Sequence, residues 1–179
     1  MIAQRPETQS ASNPEVATAN RSWAILADLQ NAHIRLIASI KDLAKITEQA
    51  SSDKVEYSAI RFRVSEASLA RRIVFRAACD YLLPIASPAD QQTIGRLRSA
   101  DAELAKHASQ HVQQWTTATV DLGWEGYCAS SREIRSSLLK QIELERSLLY
   151  PLLHRHGSSR RSEIRLIPID QFLAEEAAG

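Results

Sequence analysis

Three residues of types that bind metals or transfer protons occupy positions where a helical chain normally buries apolar side chains. They are His33, Asp101 and Glu145, and each lies among leucines and isoleucines that recur at steps of three and four residues. Burying a histidine or a carboxylate is unfavourable unless another polar group pairs with it. These residues are therefore the first candidates for a functional site.

The apolar steps of three and four residues predict four long helices that pack lengthwise against one another. We expect them at about residues 20–49, 54–83, 88–121 and 124–154, with Asn20 or Ser22 capping the first and Ser87 the third. The connections are short, so neighbouring helices should be antiparallel. The sequence thus predicts an all-α, up-down-up-down antiparallel four-helix bundle over residues 21–156, after a flexible arm at 1–20 and before a linker and short apolar tail at 157–179.

The helical rise places the three polar candidates at one height in such a bundle. His33 lies about 15 Å along the first helix and Asp101 about 20 Å along the third, while Glu145 lies at about 16 Å because the fourth helix runs back. Inward-facing histidines and carboxylates on facing helices are how bundles build metal sites. The alternative is a buried hydrogen-bond network in which His33 bonds to a carboxylate and Gln141 satisfies the rest.

A second metal candidate lies on the third helix, where Glu103, His107 and His111 follow one another at four-residue spacing. Residues one helical turn apart can share a metal ion. Two or three ligands from one helix leave the coordination sphere incomplete, so the alternative is a solvated flank with one core-facing histidine.

The second helix carries an arginine stripe, which we define as Arg61, Arg72 and Arg76. At about 100° per residue these three lie on one side of the helix. The stripe could dock an acidic protein partner, and the alternative is a solvated face paired with acids on neighbouring helices.

Composition excludes several classes of function. The 179 residues carry a net charge of +1, which does not predict nucleic-acid binding. We see no apolar run of the roughly 18 residues that span a membrane and no signal-peptide core, so a cytoplasmic protein without a membrane partner is expected.

Cys79 and Cys128 fit no zinc spacing, and we expect reduced, partly buried thiols, with a disulfide as the alternative. The absence of phosphate-loop, nucleophile-elbow and triad patterns favours a protein that is not an enzyme.

Two stretches of sequence resemble a known family. ELERSLLYPLL, residues 143–153, is similar to the end of the last helix of hemerythrin-like (HHE cation-binding) domains, and LADLQNAHIRLIASIKDL, residues 26–43, resembles their first helix. The resemblance covers roughly residues 23–153. It implies a four-helix bundle built around a di-iron site that binds oxygen or senses redox state.

The family's iron ligands are only partly matched. His33 corresponds to a ligand histidine and Glu145 to the first acid of a Glu-Glu pair. The remaining ligand positions are occupied by Val74, Ala78, Cys79, Asp101, Gln141 and Arg146. The resemblance therefore implies a hemerythrin-like scaffold with a degenerate metal site.

These observations lead to one functional hypothesis and two alternatives. The leading hypothesis is a non-enzymatic regulatory bundle, without a cofactor, that binds a protein partner or a second copy of itself. The first alternative is a hemerythrin-like protein that binds iron for oxygen or redox sensing. The second is a histidine phosphotransfer bundle, which requires an exposed histidine.

Two further predictions concern packing. Five leucines should be nearly fully buried: Leu29, Leu36, Leu104, Leu138 and Leu148. The tail should also pack, either onto its own bundle or into a groove on a second chain, because its apolar side chains would otherwise face water. These tail residues are Leu166, Ile167, Ile169, Phe172 and Leu173.

Overall fold

The computed structural model describes residues 14–49 and 54–158. Five helices make up these residues, and no strand occurs in either range: α1 (Pro14–Thr47), α2 (Lys54–Leu82), α3 (Pro88–Gln114), α4 (Thr117–Leu122) and α5 (Trp124–Gly157). The prediction of an all-α protein is therefore confirmed. The prediction for the apolar tail and that for most of the N-terminal arm lie outside the described residues.

Helix α1 begins earlier than the sequence predicted. It starts at Pro14, so residues 14–20 are helical rather than part of a flexible arm. The expected cap Ser22 has a different role, because its hydroxyl is buried and donates a hydrogen bond to the Leu153 carbonyl oxygen at 2.7 Å. Ser22 and the other expected cap, Asn20, therefore both lie within α1 and not at its start.

The third predicted helix is in fact two helices. Helix α3 ends at Gln114, and the short helix α4 follows after Trp115 and Thr116. Thr116 starts the new helix because its hydroxyl accepts a hydrogen bond from the Thr119 amide at 3.3 Å. The predicted cap at Ser87 is confirmed, since its hydroxyl accepts a hydrogen bond from the Asp90 amide at 3.2 Å.

The two ends of α5 contact opposite ends of α1. Near its C-terminus, the Gly157 carbonyl accepts a hydrogen bond from Trp23 Nε1 at 3.0 Å. Near its N-terminus, Trp124 Nε1 donates to the Gln49 carbonyl at 3.2 Å. Gly157 allows this close approach, because a Cβ atom there would lie 2.7 Å from the Trp23 indole nitrogen.

The apolar interior forms three clusters along the helices. One lies toward the start of α1 and includes Leu29, Phe75 and Leu149; a middle one is formed by Leu36, Ile40, Leu138 and Ile142; the third lies toward the end of α1 and includes Tyr57 and Tyr127. Helix α1 packs mainly against α2 and α5, and α3 packs against α5, whereas α2 and α3 make little direct contact.

The burial of the predicted core leucines is confirmed for three of the five. Leu29, Leu36 and Leu138 are 0 to 3% exposed. Leu104 and Leu148 are only partly buried, because they lie at the edges of the middle and first clusters. The spacing pattern identified the correct helix faces but did not distinguish their centres from their borders.

Neighbouring leucines on α5 offer a direct test of this packing. We expect Leu138→Ala to lower the free energy of unfolding by about 2–5 kcal/mol, because it leaves a cavity in the middle cluster. Leu139 is 42% exposed, so Leu139→Ala should cost well under half as much. Chemical denaturation of both variants measures the difference, and equal losses would contradict the observed orientation of α5.

Candidate functional site

Glu145 is the centre of a buried polar network that joins α1, α2, α3 and α5. Its carboxylate is fully buried, and each oxygen has partners from different residues. Oε2 lies 2.8 Å from His33 Nε2, while Oε1 accepts a hydrogen bond from Gln141 Nε2 at 2.9 Å and lies 2.9 Å from Arg71 Nη1. The hypothesis that His33 bonds to a carboxylate and that Gln141 also contributes is confirmed.

His33 has a hydrogen-bond partner at each of its ring nitrogens. Nδ1 lies 2.7 Å from the Tyr150 hydroxyl, and Nε2 lies 2.8 Å from Glu145 Oε2. Burial, the largest influence, raises the pKa of the Tyr150 phenol, so this hydroxyl is protonated. Both nitrogens of this fully buried ring are thus engaged.

Arg71 is the buried cation of the network. Its side chain is 1% exposed, and it pairs with Glu145 through Nη1 and with Asp101 Oδ1 through Nη2. The second Asp101 oxygen lies 3.4 Å from Arg72 Nε, on a side chain that is 26% exposed. Two guanidinium groups therefore balance two carboxylates, and one of the cations reaches the protein surface.

This arrangement does not suit a metal ion held by His33, Asp101 and Glu145. The structure does bring His33, Asp101 and Glu145 into one network, as the axial positions predicted, but the Arg71 guanidinium lies between the two carboxylates. A second cation there would be repelled. Within residues 14–49 and 54–158 no group of three His, Cys, Asp or Glu side chains is arranged to hold a metal. The residues present therefore do not fit an iron centre.

The second metal candidate, formed by Glu103, His107 and His111, is not part of the buried network. Glu103 and His107 are exposed on α3. His111 is half-buried instead, and its Nδ1 lies 2.9 Å from the Ser130 hydroxyl of α5. Burial, with the charge of Arg61 as a smaller cause, lowers the pKa of His111, so its imidazole is neutral at pH 7.

The three residues of the arginine stripe have different environments. Arg61 lies over the rings of Tyr57 and Tyr127, 5.3 and 5.6 Å from their centroids. Arg72 pairs with Asp101, and Arg76 is exposed. Part of the stripe thus belongs to the interior, and part faces solvent.

The sequence analysis missed Arg71 and Tyr150 as members of the network. Arg71 lies seven residues after Val64 and seven before Ala78, both assigned to the buried face of α2. That heptad position was the available signal, and it could have paired Arg71 with the buried acids. Tyr150 gives no comparable signal, because it is five residues after Glu145 and off the heptad spacing.

Both cysteines are free, as expected, and both are buried, where the sequence analysis predicted only partial burial. Burial raises the pKa of the Cys79 thiol to about 12 and also raises that of Cys128. A protonated, buried thiol is a poor nucleophile. Neither cysteine is suited to covalent chemistry in the folded protein.

Comparisons with protein-family models, with curated proteins and with solved structures give no match. Among the described residues no helix is both long and apolar enough to cross a membrane.

Adjacent arginines provide a matched test of the network. We expect Arg71→Met to lower the free energy of unfolding by about 3–5 kcal/mol, because it leaves the buried Glu145 without its arginine and Asp101 with only the longer Arg72 contact. Arg72→Met removes a partly exposed, longer contact and should cost about 1 kcal/mol or less. Denaturant titration of both variants provides the measurement. A smaller loss for Arg71→Met than for Arg72→Met would be incompatible with this network.

Metal content is a second test. Because a guanidinium lies where the first metal candidate was expected, we expect the protein, purified without added metal, to carry far less than two irons per chain by elemental analysis. Its absorption spectrum should lack the bands of an oxo-bridged iron pair. Two tightly held irons per chain would overturn the assignment of these residues to a structural network.

Proposed function

We propose that this chain is a non-enzymatic regulatory protein that acts by binding another protein through the outer face of α2. Its architecture in this proposal is an up-down-up-down antiparallel four-helix bundle, similar to a hemerythrin-like scaffold with a degenerate metal site. The observation that carries the proposal is a set of large apolar side chains left exposed on α2 beside the arginines.

Three features support the bundle. The hydrogen bonds at both ends of α5 are those of two helices that run in opposite directions. The Arg71 pairs join α2 to both α3 and α5, and His33 joins α1 to α5. Helix α4 is only six residues long and lies between α3 and α5, so it lengthens a connection without adding a fifth long helix.

The buried polar network supports a non-catalytic role for the protein. His33, Asp101, Glu145 and Gln141 are at most 4% exposed, and each is bonded to another member of the network. A phosphotransfer histidine needs access to its partner, which a fully buried His33 lacks. The network is suited to fixing how helices pack, and that leaves function to the surface.

The proposed docking surface consists of Phe62, Leu69, Ile73 and Arg76 on α2. The three apolar side chains are 69%, 58% and 62% exposed. At about 100° per residue all four residues fall within an arc of roughly 60°. Solvent-exposed apolar residues in such a row are typical of a surface that receives an amphipathic helix. Glu66 lies at the border of this surface. The positive charge of the surface comes from Arg76, at one end.

The fitting partner is an amphipathic protein helix that presents an apolar stripe with an acidic residue at one end. The apolar stripe would cover the three exposed side chains, and the acid would pair with Arg76. A second copy of this chain is the other occupant to be distinguished, and the mass of the purified protein in solution separates the two.

Two substitutions on this surface test the proposal. We expect both Arg76→Glu and Ile73→Ser to reduce recovery of a co-purifying protein, the first by charge repulsion and the second by loss of apolar contact. The effect of Arg76→Glu should shrink at high salt because exposed charges are screened over about 8–10 Å, whereas that of Ile73→Ser should persist. Quantitative mass spectrometry of captured proteins measures both.

The matched control is Arg96→Glu, which makes the same charge reversal at an exposed position on α3. It should leave recovery unchanged. If both α2 variants recover the same proteins as the unaltered chain, and its mass in solution is that of a monomer, the α2 surface is not a binding site and the proposal fails.

A further inference from the structure

A cavity separates α2 from α3 at a site distinct from the buried network. Its volume is about 400 Å³, within the range of about 300–1,000 Å³ typical of small-molecule sites. Helices α2, α3 and α5 supply its walls, and Leu43 of α1 contributes at one end. The cavity lies where α2 and α3 make little direct contact, so the space between them is not filled by protein side chains.

The charge lining this cavity is of one sign. Three arginines, Arg61, Arg72 and Arg135, line it, and the described residues around it include no aspartate or glutamate. The charge of Arg72 is neutralised by Asp101, which does not line the cavity. Arg61 and Arg135 have no carboxylate of the described residues within ion-pair distance, and Arg61 instead lies over two tyrosine rings. The uncompensated positive charge is therefore concentrated toward the Arg61 and Arg135 end.

Arg135 is the most informative of these residues. It is 8% exposed, and its one hydrogen bond to the described residues is from Nε to the Ser131 carbonyl at 3.4 Å. A guanidinium has five N–H donors, and those on the two terminal nitrogens of Arg135 have no hydrogen-bond partner among the described residues. Burial is the largest cause and lowers the pKa of Arg135, while the charge of Glu48 acts in the opposite direction. These donors are therefore available to bind an anion that enters the cavity.

A second polar group near Arg135 also lacks a hydrogen-bond partner. The Ser131 hydroxyl is buried, lines the cavity and has no hydrogen-bond partner in the described residues. Ser131 and Arg135 are one helical turn apart, so their side chains lie on the same face of α5. Together they present to one end of the cavity a hydroxyl without a partner and a cation that has no described carboxylate within ion-pair distance.

The rest of the lining is largely apolar. It includes Val64 and Leu69 from α2, Val112 from α3, and Ile134 and Leu138 from α5. A ligand that fits must therefore carry charge at one end and be apolar along its body. From Arg61 to Arg72 the cavity follows eleven residues of α2, which corresponds to about 16 Å of helix.

We infer that this cavity is a binding site for a small amphipathic organic anion, a carboxylate with an apolar chain. The carboxylate would accept hydrogen bonds from Arg135 and Ser131, with Arg61 adding charge, and the chain would lie against the aliphatic residues toward Leu138. This site shares Leu69 with the protein-docking surface proposed on α2, but its anion-binding residues, Arg135 and Ser131, belong to α5 and are buried.

Three probes that differ only in their head group test the inference. Octanoate should bind the full chain more tightly than 1-octanol, and octylammonium should bind most weakly, as measured by titration calorimetry. This order follows from the cationic end of the cavity and is reversed for an anionic one. Failure of octanoate to bind, or equal binding of all three probes, overturns the inference.

Substitutions in the cavity test where the carboxylate of the probe binds. Arg135→Met should weaken octanoate binding by roughly 10- to 100-fold and leave 1-octanol within about twofold, because only the anion loses a charge-assisted hydrogen bond. The control Arg132→Met changes an exposed arginine three residues earlier on α5 and should alter neither. Octanoate affinity that is unaffected by Arg135→Met overturns the assignment of the anion site.

A third variant keeps the test decisive if Arg135→Met does not fold. Ala108 lines the cavity from α3, so Ala108→Phe should fill it and abolish binding of octanoate and 1-octanol alike. Undiminished binding in this variant would show that the probes bind elsewhere, which also overturns the inference. The α2 surface variant Arg76→Glu should leave octanoate binding unchanged, so this site and the proposed protein partner can fail separately.

Discussion

The need to neutralise a buried guanidinium constrains the whole helical interior. Arg71 is almost completely buried, and an arginine cannot lose its charge in a protein. Its two carboxylate partners, Asp101 and Glu145, come from different helices, so α2, α3 and α5 must hold one relative position for the charge to be compensated. Glu145 then bonds to His33, which brings α1 into the same constraint.

Such a network contributes less to net stability than to the choice of one packing arrangement. Taking charges out of water is costly, and the attraction between them repays this only with good geometry. Apolar clusters lie on both sides of the network and supply the gain from burial. We interpret the network as the feature that fixes the axial position of four long helices whose apolar faces, built largely of leucine and isoleucine, could otherwise slide past one another.

Helix α2 divides its arginines among three environments, and this division connects the fold to function. Arg71 points into the network, Arg61 and Arg72 line the cavity, and Arg76 faces solvent. Five residues separate Arg71, the structural cation, from Arg76, the surface charge. Both proposed binding sites therefore include residues of α2, the helix whose position the network determines.

Sequence spacing predicted the helical class, three of the five core leucines and the common height of His33, Asp101 and Glu145. These features depend on local periodicity and axial rise, which the sequence contains directly. It did not predict that Arg71 would lie between the acids, because a long side chain can reach several partners and the choice depends on tertiary packing. The break after Gln114 and the cavity were also not predicted, since they depend on how Trp115 packs and how far α3 lies from α2.

The central claim is that Arg71 and Glu145 are energetically coupled inside the protein, and a double-mutant cycle measures this coupling most directly. The free energies of unfolding of Arg71→Met, Glu145→Gln and the double variant are compared with that of the unaltered chain. We predict that the double variant loses less than the sum of the single losses, with a coupling energy of about 0.5–3 kcal/mol. Losses that add to within about 0.3–0.5 kcal/mol would contradict the account.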